Sequence, residues 1–468
     1  MTTEIELTRD RLRRKLNFEV SRRLKVYDLY FEGEQPLKFI APALQDELGD
    51  RLTAMVINLP RDGVSVYDDR LDVTGFRYPG AAEDDDQMWK VWLGNDGDLL
   101  SQQVHQESLA LGRAYMIVGP GDDAELPLIT AESPFDTIHE DDPRTHDVAN
   151  GLHQWTELDG TRWVTVYQRG GRTTWWRPKR SGEWTVDSEV ENTAESELCS
   201  LVPYLNYPRI LGRLRNGLPD PRLGRSEFHD IIPIVDGINK MATDMMVSGE
   251  FHAMPRRWAF GLKAEDFEDE KGNEVSAWAM RASALWANEN KDIKVGQFKE
   301  SDLSNFRDTI KMLITIAGQM LGLPPGYNAF ETVNPPSGDS IRSSEIKLLK
   351  RSERKQANWG NKHGRVQRLV QLELTGADDP KAREIETRWR SAATPTKAQE
   401  ADATVKLVQA KDGQGRSIVT VTQARQDLGY SAEALKRMAA DDAREDPIIT
   451  DAKRELEVAG ASGAAGSR

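Results

Sequence analysis

From Phe228 to Met246 the chain reads FHDIIPIVDGINKMATDMM, and from Ser301 to Leu321 it reads SDLSNFRDTIKMLITIAGQML. The first stretch places Phe228, Ile231, Ile232, Val235, Ile238, Met245 and Met246 at helical spacing. The second does the same with Leu303, Phe306, Ile310, Leu313, Ile314, Ala317 and Leu321. Apolar residues three and four apart share one face of a helix, so both stretches predict long amphipathic helices. Pro233 predicts a kink in the first, and Ser301 predicts an N-cap for the second, about 31 Å long. Between them, residues 255–298 read as short strand and loop, with Trp258, Trp278 and Trp286. Two such helices around a small insert predict an antiparallel pair that carries the insert away from the body as an outlying lobe. That arrangement is unusual for a compact enzyme.

Downstream, LGLPPGYNAFETVNPPSGDS (321–340) is too rich in Pro and Gly for helix, and a loop this long inside a folded region is usually functional. A third helix is predicted from Ser340, capped by Asp339, to about Leu374, with Gly360 and Gly364 inviting a kink. Between Arg342 and Arg368 it holds nine bases and two acids. Residues 384–390 alternate like an edge strand. A small helical unit spans 397 to about 445, with Gly413 and Gly415 in a turn and Ser431 capping its last helix. The end, ASGAAGSR, reads as a flexible tail.

Upstream, residues 4–31 read as a charged helix with Leu12, Leu16, Val20 (or Phe18) and Leu24 near a 3.6 period. Between Arg9 and Lys25 bases outnumber acids eight to two. The plain reading is a solvated face; the alternative is contact with nucleic acid or an acidic neighbouring subunit. A short helix is expected around Met88 to Leu93. A helix then passes through Gly112 into the strand Ala114 to Val118. Antiparallel strands are expected at 163–168, 173–177 and 183–186, with turns at Gly170-Gly171 and Ser181-Gly182. Helices followed by a β meander make the fold class α+β.

The whole chain has 468 residues, 62 Lys plus Arg against 76 Asp plus Glu, and a formal charge of −14. At 38% hydrophobic with 12 Trp it is not a disordered chain, and its length suggests about three folded units. The acidic balance argues against gripping nucleic acid by bulk charge. Cys199 is the single cysteine, so there is no internal disulfide and no thiolate zinc cluster, and an intracellular setting is expected. The longest apolar stretch, Met312 to Leu323, is too short for a bilayer span, and no secretory signal is seen.

No Gly-Lys dipeptide occurs, which excludes a P-loop ATPase, and neither a G-x-S-x-G elbow nor an H-E-x-x-H motif is present. One segment holds His139, Glu140, Asp141, Asp142, His146 and Asp147, with His153 beyond. It reads first as a solvated acidic loop, because Asp122 to Asp147 contains nine acids and one Arg. The competing reading is a metal-dependent hydrolase or nuclease centred on His139–Asp147.

The stretch from Val202 to Gly261, including VPYLNYPRI and GRSEFHDIIPIVDGINKMATDMMVSGEFHAMPRRWAFG, resembles the portal proteins of long-tailed bacteriophages, those infecting actinobacteria above all. Asn334-Pro335-Pro336-Ser337 through Ile341-Arg342 and Glu345 is similar to the same family's entry into its long tunnel helix. So are Tyr30-Phe31-Glu32-Gly33 with Pro36-Leu37, and Leu71-Asp72-Val73-Thr74-Gly75-Phe76. The ordered matches cover roughly 25–445. The stretch Asn58–Gly63 and the acidic insert 81–86 depart from the family pattern.

The resemblance implies a portal fold. A wing at 1–225 is completed by a strand at about 384–390. Stem helices lie at 226–254 and 299–321, with the clip at 255–298 between them. A tunnel loop at 322–339, a long kinked helix at 340–374, a helical crown at 393–445 and a flexible tail at 446–468 follow. It implies a twelve-subunit ring at one capsid vertex, a conduit for double-stranded DNA. The clip would be the docking site for the large terminase and then the head-tail adaptor, within a shell of major capsid and scaffold proteins. No covalent chemistry, cofactor, metal or membrane is implied. The location would be the virion, and the host cytoplasm during assembly. Expected channel residues are Tyr327, Asn328, Phe330, Thr332, Asn334 and Ser337, with inter-subunit packing the other reading for Tyr327 and Phe330. Arg342, Lys347, Lys350 and Arg351 of the basic helix would face DNA or a neighbouring subunit, the latter preferred. Arg256, Arg257, Lys263 and Lys271 would serve clip docking, or simply be solvated surface. A head-assembly protein other than a portal is a further alternative.

Overall fold

The fold is taken from a computed structural model, which describes residues 4–38, 55–81, 83–178, 182–191, 198–210, 217–252, 257–260, 294–297, 303–324, 327, 338–393, 397–428, 430 and 432–445.

Helix α1 (Glu4–Glu19) passes through a wide π turn (Val20–Leu24) into α2 (Lys25–Glu32). Leu12 and Leu16, four apart, are fully buried against a five-stranded antiparallel meander. Its strands, in sequential order, are β4 (Thr137–Asp141), β5 (Val148–Thr156), β6 (Arg162–Gln168), β7 (Gly171–Arg177) and β8 (Thr185–Glu191). Arg11 and Arg14 of the basic stretch are exposed, but the other bases of α1 are drawn into packing. Arg9 is buried with its guanidinium 5.1 Å from the Trp175 ring centre, and Arg13 lies 4.9 Å from that of Trp184. Arg11 pairs with Glu140 at 2.9 Å, and Lys15 donates to the His139 carbonyl at 3.2 Å. Long cationic stems pack on aromatic rings while their heads keep polar partners, which the linear charge count does not reveal.

Helix α3 (Leu59–Asp68) is N-capped by Asn58, whose side chain accepts from the Arg61 amide, and α4 (Asp86–Gly94) is capped by Asp85. Both departures from the family pattern thus mark helix starts. Helix α5 (Gly97–Leu111) turns at Gly112 into β2 (Arg113–Gly119), the middle of a three-stranded sheet ordered β3 (Leu128–Glu132), β2, β9 (Leu201–Leu205). β2 is buried on both faces. Ala114, Met116 and Val118 enter the main core, while Tyr115 and Ile117 meet Val148 and Tyr167 in a smaller one.

Helices α6 (Ile232–His252) and α7 (Ser304–Leu321) pack together. Gly237 lies against Leu313 and Gly249 against Leu303, so the pair is antiparallel. The insert between them begins and ends in the antiparallel strands β10 (Arg257–Phe260) and β11 (Lys294–Gln297). Two details differ from the sequence expectation. Pro233 makes no mid-helix kink: it stands in the first turn of α6, where a missing N–H leaves nothing unpaired. Helix α7 starts at Ser304 with Leu303 at its N-cap position, and Ser301 lies outside the described residues.

Helix α8 (Gly338–Thr375) runs unbroken through Gly360 and Gly364, and Asp339 lies inside it rather than capping it. Leu348, Trp359, Val366 and Val370 thread it through the main core. The two glycines serve a close approach. A Cβ on Gly364 would stand 2.6 Å from the Ile385 carbonyl oxygen, and one on Gly360 would stand 3.0 Å from Trp389 Nε1. That space admits the returning strand β12 (Glu386–Trp389), which pairs antiparallel with β1 (Val73–Arg77), joining residues some three hundred apart in sequence. Three short helices, α9 (Lys397–Gln409), α10 (Val421–Asp427) and α11 (Ala432–Glu445), complete the described chain. The proposed Ser431 cap lies outside the described residues.

Candidate functional site

The end of α7, residue 327 and the first turns of α8 meet at one junction. The last carbonyls of a helix have no partner within it. Here Lys347 Nζ donates to Gln319 O at 2.8 Å. Arg351 Nη1 donates to Leu321 O at 2.6 Å and Met320 O at 3.2 Å. The Tyr67 hydroxyl also donates to Leu321 O, at 2.6 Å. Cations at a helix C-terminus oppose its negative dipole end, so α8 caps α7 by charge as well as hydrogen bonding. Gly322 completes the cap at φ 84°, the left-handed conformation glycine adopts without strain. Burial, then the Glu227 charge, push the Tyr67 hydroxyl up to about 12. Burial acts to lower the Arg351 pKa, but the bond to Tyr67 and nearby groups outweigh it, so the guanidinium is held above its usual value.

Below this cap, Lys355 is buried and donates to Glu227 Oε2 at 2.7 Å and Asn206 Oδ1 at 2.6 Å. Its ammonium stands 4.4 Å from the Tyr207 ring centre and 5.2 Å from that of Tyr67. Burial lowers its pKa, against the pull of Glu227. Tyr207 and Asn206 also bond Glu227, at 2.9 Å and 3.2 Å. An open cleft of about 570 Å³ lies over this cluster, lined by Tyr207, Met320, Arg351, Arg354 and Asn358 among others.

Residue 327 is clamped to the same scaffold. Arg70 Nη2 donates to the Tyr327 hydroxyl at 2.9 Å, and that hydroxyl donates to Glu345 Oε1 at 3.0 Å. Arg70 and Glu345 are both buried, and burial raises the Tyr327 pKa. Tyr327 is thus tied both to Arg70, just beyond the end of α3, and to Glu345 of α8.

These contacts locate the residues singled out by sequence. The Tyr327 hydroxyl and the heads of Lys347 and Arg351 are engaged within their own chain. Lys350 pairs with Glu353 at 2.6 Å on the surface. Elsewhere on α8, Arg365 pairs with Asp147 at 2.7 Å and Arg368 bonds Asp378. Much of the basic helix is thus neutralised inside the subunit, where sequence reading chose between DNA and a neighbour. Arg342 lies on the helix α8, with its side chain outside the described residues, and Arg257 opens β10, opposite Gln297. Asn328, Phe330, Thr332, Asn334, Ser337, Arg256, Lys263 and Lys271 lie outside the described residues. Tyr67, Arg70 and Glu227 carry no local signal, because their partners are distant in sequence, and Glu345, which marks the entry into the long helix, meets Arg70 and Tyr327 only in the fold.

The His139 segment does not form a metal centre. His139 is buried, its Nδ1 3.1 Å from the Tyr115 hydroxyl, and burial followed by Lys15 and Arg113 holds its pKa well below the usual value. His153 faces Glu132 at 3.2 Å. Strand alternation points neighbouring residues of β4 to opposite faces, and no group of three His, Cys, Asp or Glu fit for a metal occurs among the described residues.

An antiparallel helix pair around an insert and a long helix threading the core define an α+β fold in which no metal-binding cluster occurs among the described residues. The phage portal protein family of SPP1 Gp6-like type matches residues 11–447, and the chain belongs to that family. It is 28% identical over 420 residues to the portal protein of Mycobacterium phage D29, covering 87% of this chain and 83% of that protein. To the portal protein of Mycobacterium phage L5 it is 26% identical over 420 residues, covering 87% and 82%. Phage portal proteins are virion components, and no described helix is long and apolar enough to cross a membrane.

Proposed function

We propose that twelve copies form a ring at one capsid vertex, through which double-stranded DNA is packaged and later ejected. In this reading the wing comprises 1–225 with the returning strand at 384–390. The antiparallel helices are the stem, 255–298 the clip, 322–339 the tunnel loop, 340–374 the long helix and 393–445 the crown. The clip docks the large terminase and then the head-tail adaptor. Major capsid and scaffold proteins surround the ring, which assembles in the host cytoplasm. The ring performs no covalent chemistry of its own.

The observation that carries this reading is the antiparallel α6–α7 pair, which hands the chain into an insert closed by β10 and β11, in a member of the portal family. The charge fits sliding. Each phosphate contact releases counterions and adds salt-dependent grip, so a net −14 per subunit keeps DNA off most of the surface. Negative-stain images of wild type and of a Pro325–Pro336 deletion test the reading. Closed rings with a channel are expected for both, with packaging impaired only in the deletion. Compact monomers at high concentration, or normal packaging by the deletion, would overturn it.

A further inference from the structure

Among the described residues, two faces of the subunit stand exposed with complementary character. Along α7, Met312, Ile316 and Met320 are 55%, 39% and 41% exposed and fall four residues apart, forming one outward stripe. Ile346 of α8, 57% exposed, extends it, because the adjacent Lys347 reaches Gln319. Lys311 is exposed beside Met312, and Arg354 shares the cleft edge with Met320.

The second face lies on α2 and α5. Val26 and Leu29 are exposed there beside Asp28. Glu107 Oε2 is buried with no hydrogen-bond partner, and the nearest charges are Asp28 and Glu32, both negative. Burial first, then those two acids, push the Glu107 carboxyl up to about 7. Only Glu32 of the three has a cationic partner among the described residues, Arg61. Among the described residues, one face is therefore apolar with the bases Lys311 and Arg354 outside any ion pair, the other apolar with the acids Asp28 and Glu107 outside any ion pair.

The faces sit on different sides of α6. Asp236 of α6 accepts from Tyr30 of α2, while the next residue, Gly237, packs on Leu313 of α7. A contact using two different patches of each copy is head-to-tail, the type that builds a ring when its rotation closes.

We infer that the stripe Met312–Ile316–Met320–Ile346 of one copy docks on the Val26–Leu29 face of a second copy, with Lys311 and Arg354 meeting Asp28 and Glu107. This rests on the ring reading and names the surfaces that build it. Charge complementarity selects a second copy over DNA: the acidic face repels phosphate, and the stripe is mostly apolar.

The test uses the full-length chain, assembled at graded concentrations and followed by mass photometry. Asp28→Lys with Glu107→Lys is expected to raise the concentration for half-assembly by about tenfold or more. Adding Lys311→Glu and Arg354→Glu restores it. The restored variant excludes misfolding as the cause of the loss. Leu29→Cys with Ile316→Cys is expected to give disulfide-linked oligomers on oxidation, with little interference from Cys199, which is fully buried. Wild-type rings that survive the acidic-face reversal and give no cross-link overturn the docking while leaving the ring reading intact. A wild type that never assembles overturns the ring reading and the docking with it. DNA binding lost in Lys311→Glu/Arg354→Glu with assembly unchanged would assign the stripe to DNA instead.

Discussion

Replacing Lys355 by Met strips Glu227 of its principal counter-charge. The carboxylate is buried, and Lys355 Nζ is 2.7 Å from its Oε2. Removing one member of a buried pair costs about 3–5 kcal/mol, because the other charge stays desolvated and unpaired. Here the cost belongs at the low end. Arg351 Nη1 remains 3.9 Å from Glu227 Oε1, and Tyr207 and Asn206 still donate to the carboxylate. The expected loss is about 3 kcal/mol, which for one cooperative unit of this size lowers Tm by roughly 3 °C. The double variant Glu227→Gln/Lys355→Met removes both charges and should lie within about 1 kcal/mol of wild type. A double-mutant cycle by calorimetry, at fixed protein concentration, measures the coupling. A Lys355→Met variant as stable as wild type, or a double variant that loses the sum of the singles, would refute the argument.

Gly364→Ala drives a Cβ to within 2.6 Å of the Ile385 carbonyl, so β12 must shift. Overpacking of this kind costs about 1–3 kcal/mol, and hydrogen exchange should speed selectively at the β1–β12 pair. Asp68 is held up to about 7 by burial first and then by Asp69 and Asp72. Its stabilising proton is fully present below the ordinary carboxyl range and is lost as pH rises through about 7. Asp68→Asn should therefore leave stability at pH 4 nearly unchanged and raise it by about 1–2 kcal/mol at pH 8; a variant less stable at pH 8 than wild type contradicts the assignment.

Sequence by itself determined the elements. The apolar spacing in 228–246 and 301–321 set two amphipathic helices, Gly112 set a helix-to-strand turn, and alternation in 384–390 marked the returning strand. Helical and strand periods follow from backbone geometry and survive any tertiary context that buries one face. Sequence also read Gly360 and Gly364 as kink points, because glycine's intrinsic effect is local flexibility. Only the tertiary structure shows that they clear a groove for β12. Charges were the least legible. Lys347, Lys350 and Arg351 form part of one basic run, yet Lys347 and Arg351 cap α7, Lys350 pairs on the surface, and Lys355 is buried on Glu227. A charge's role depends on what stands within a few ångströms and on how much water is excluded. Apart from Glu353, three positions from Lys350, the partners lie from 28 positions away (Gln319 from Lys347) to 284 (Tyr67 from Arg351), so a local pattern in the chain carries little of that information.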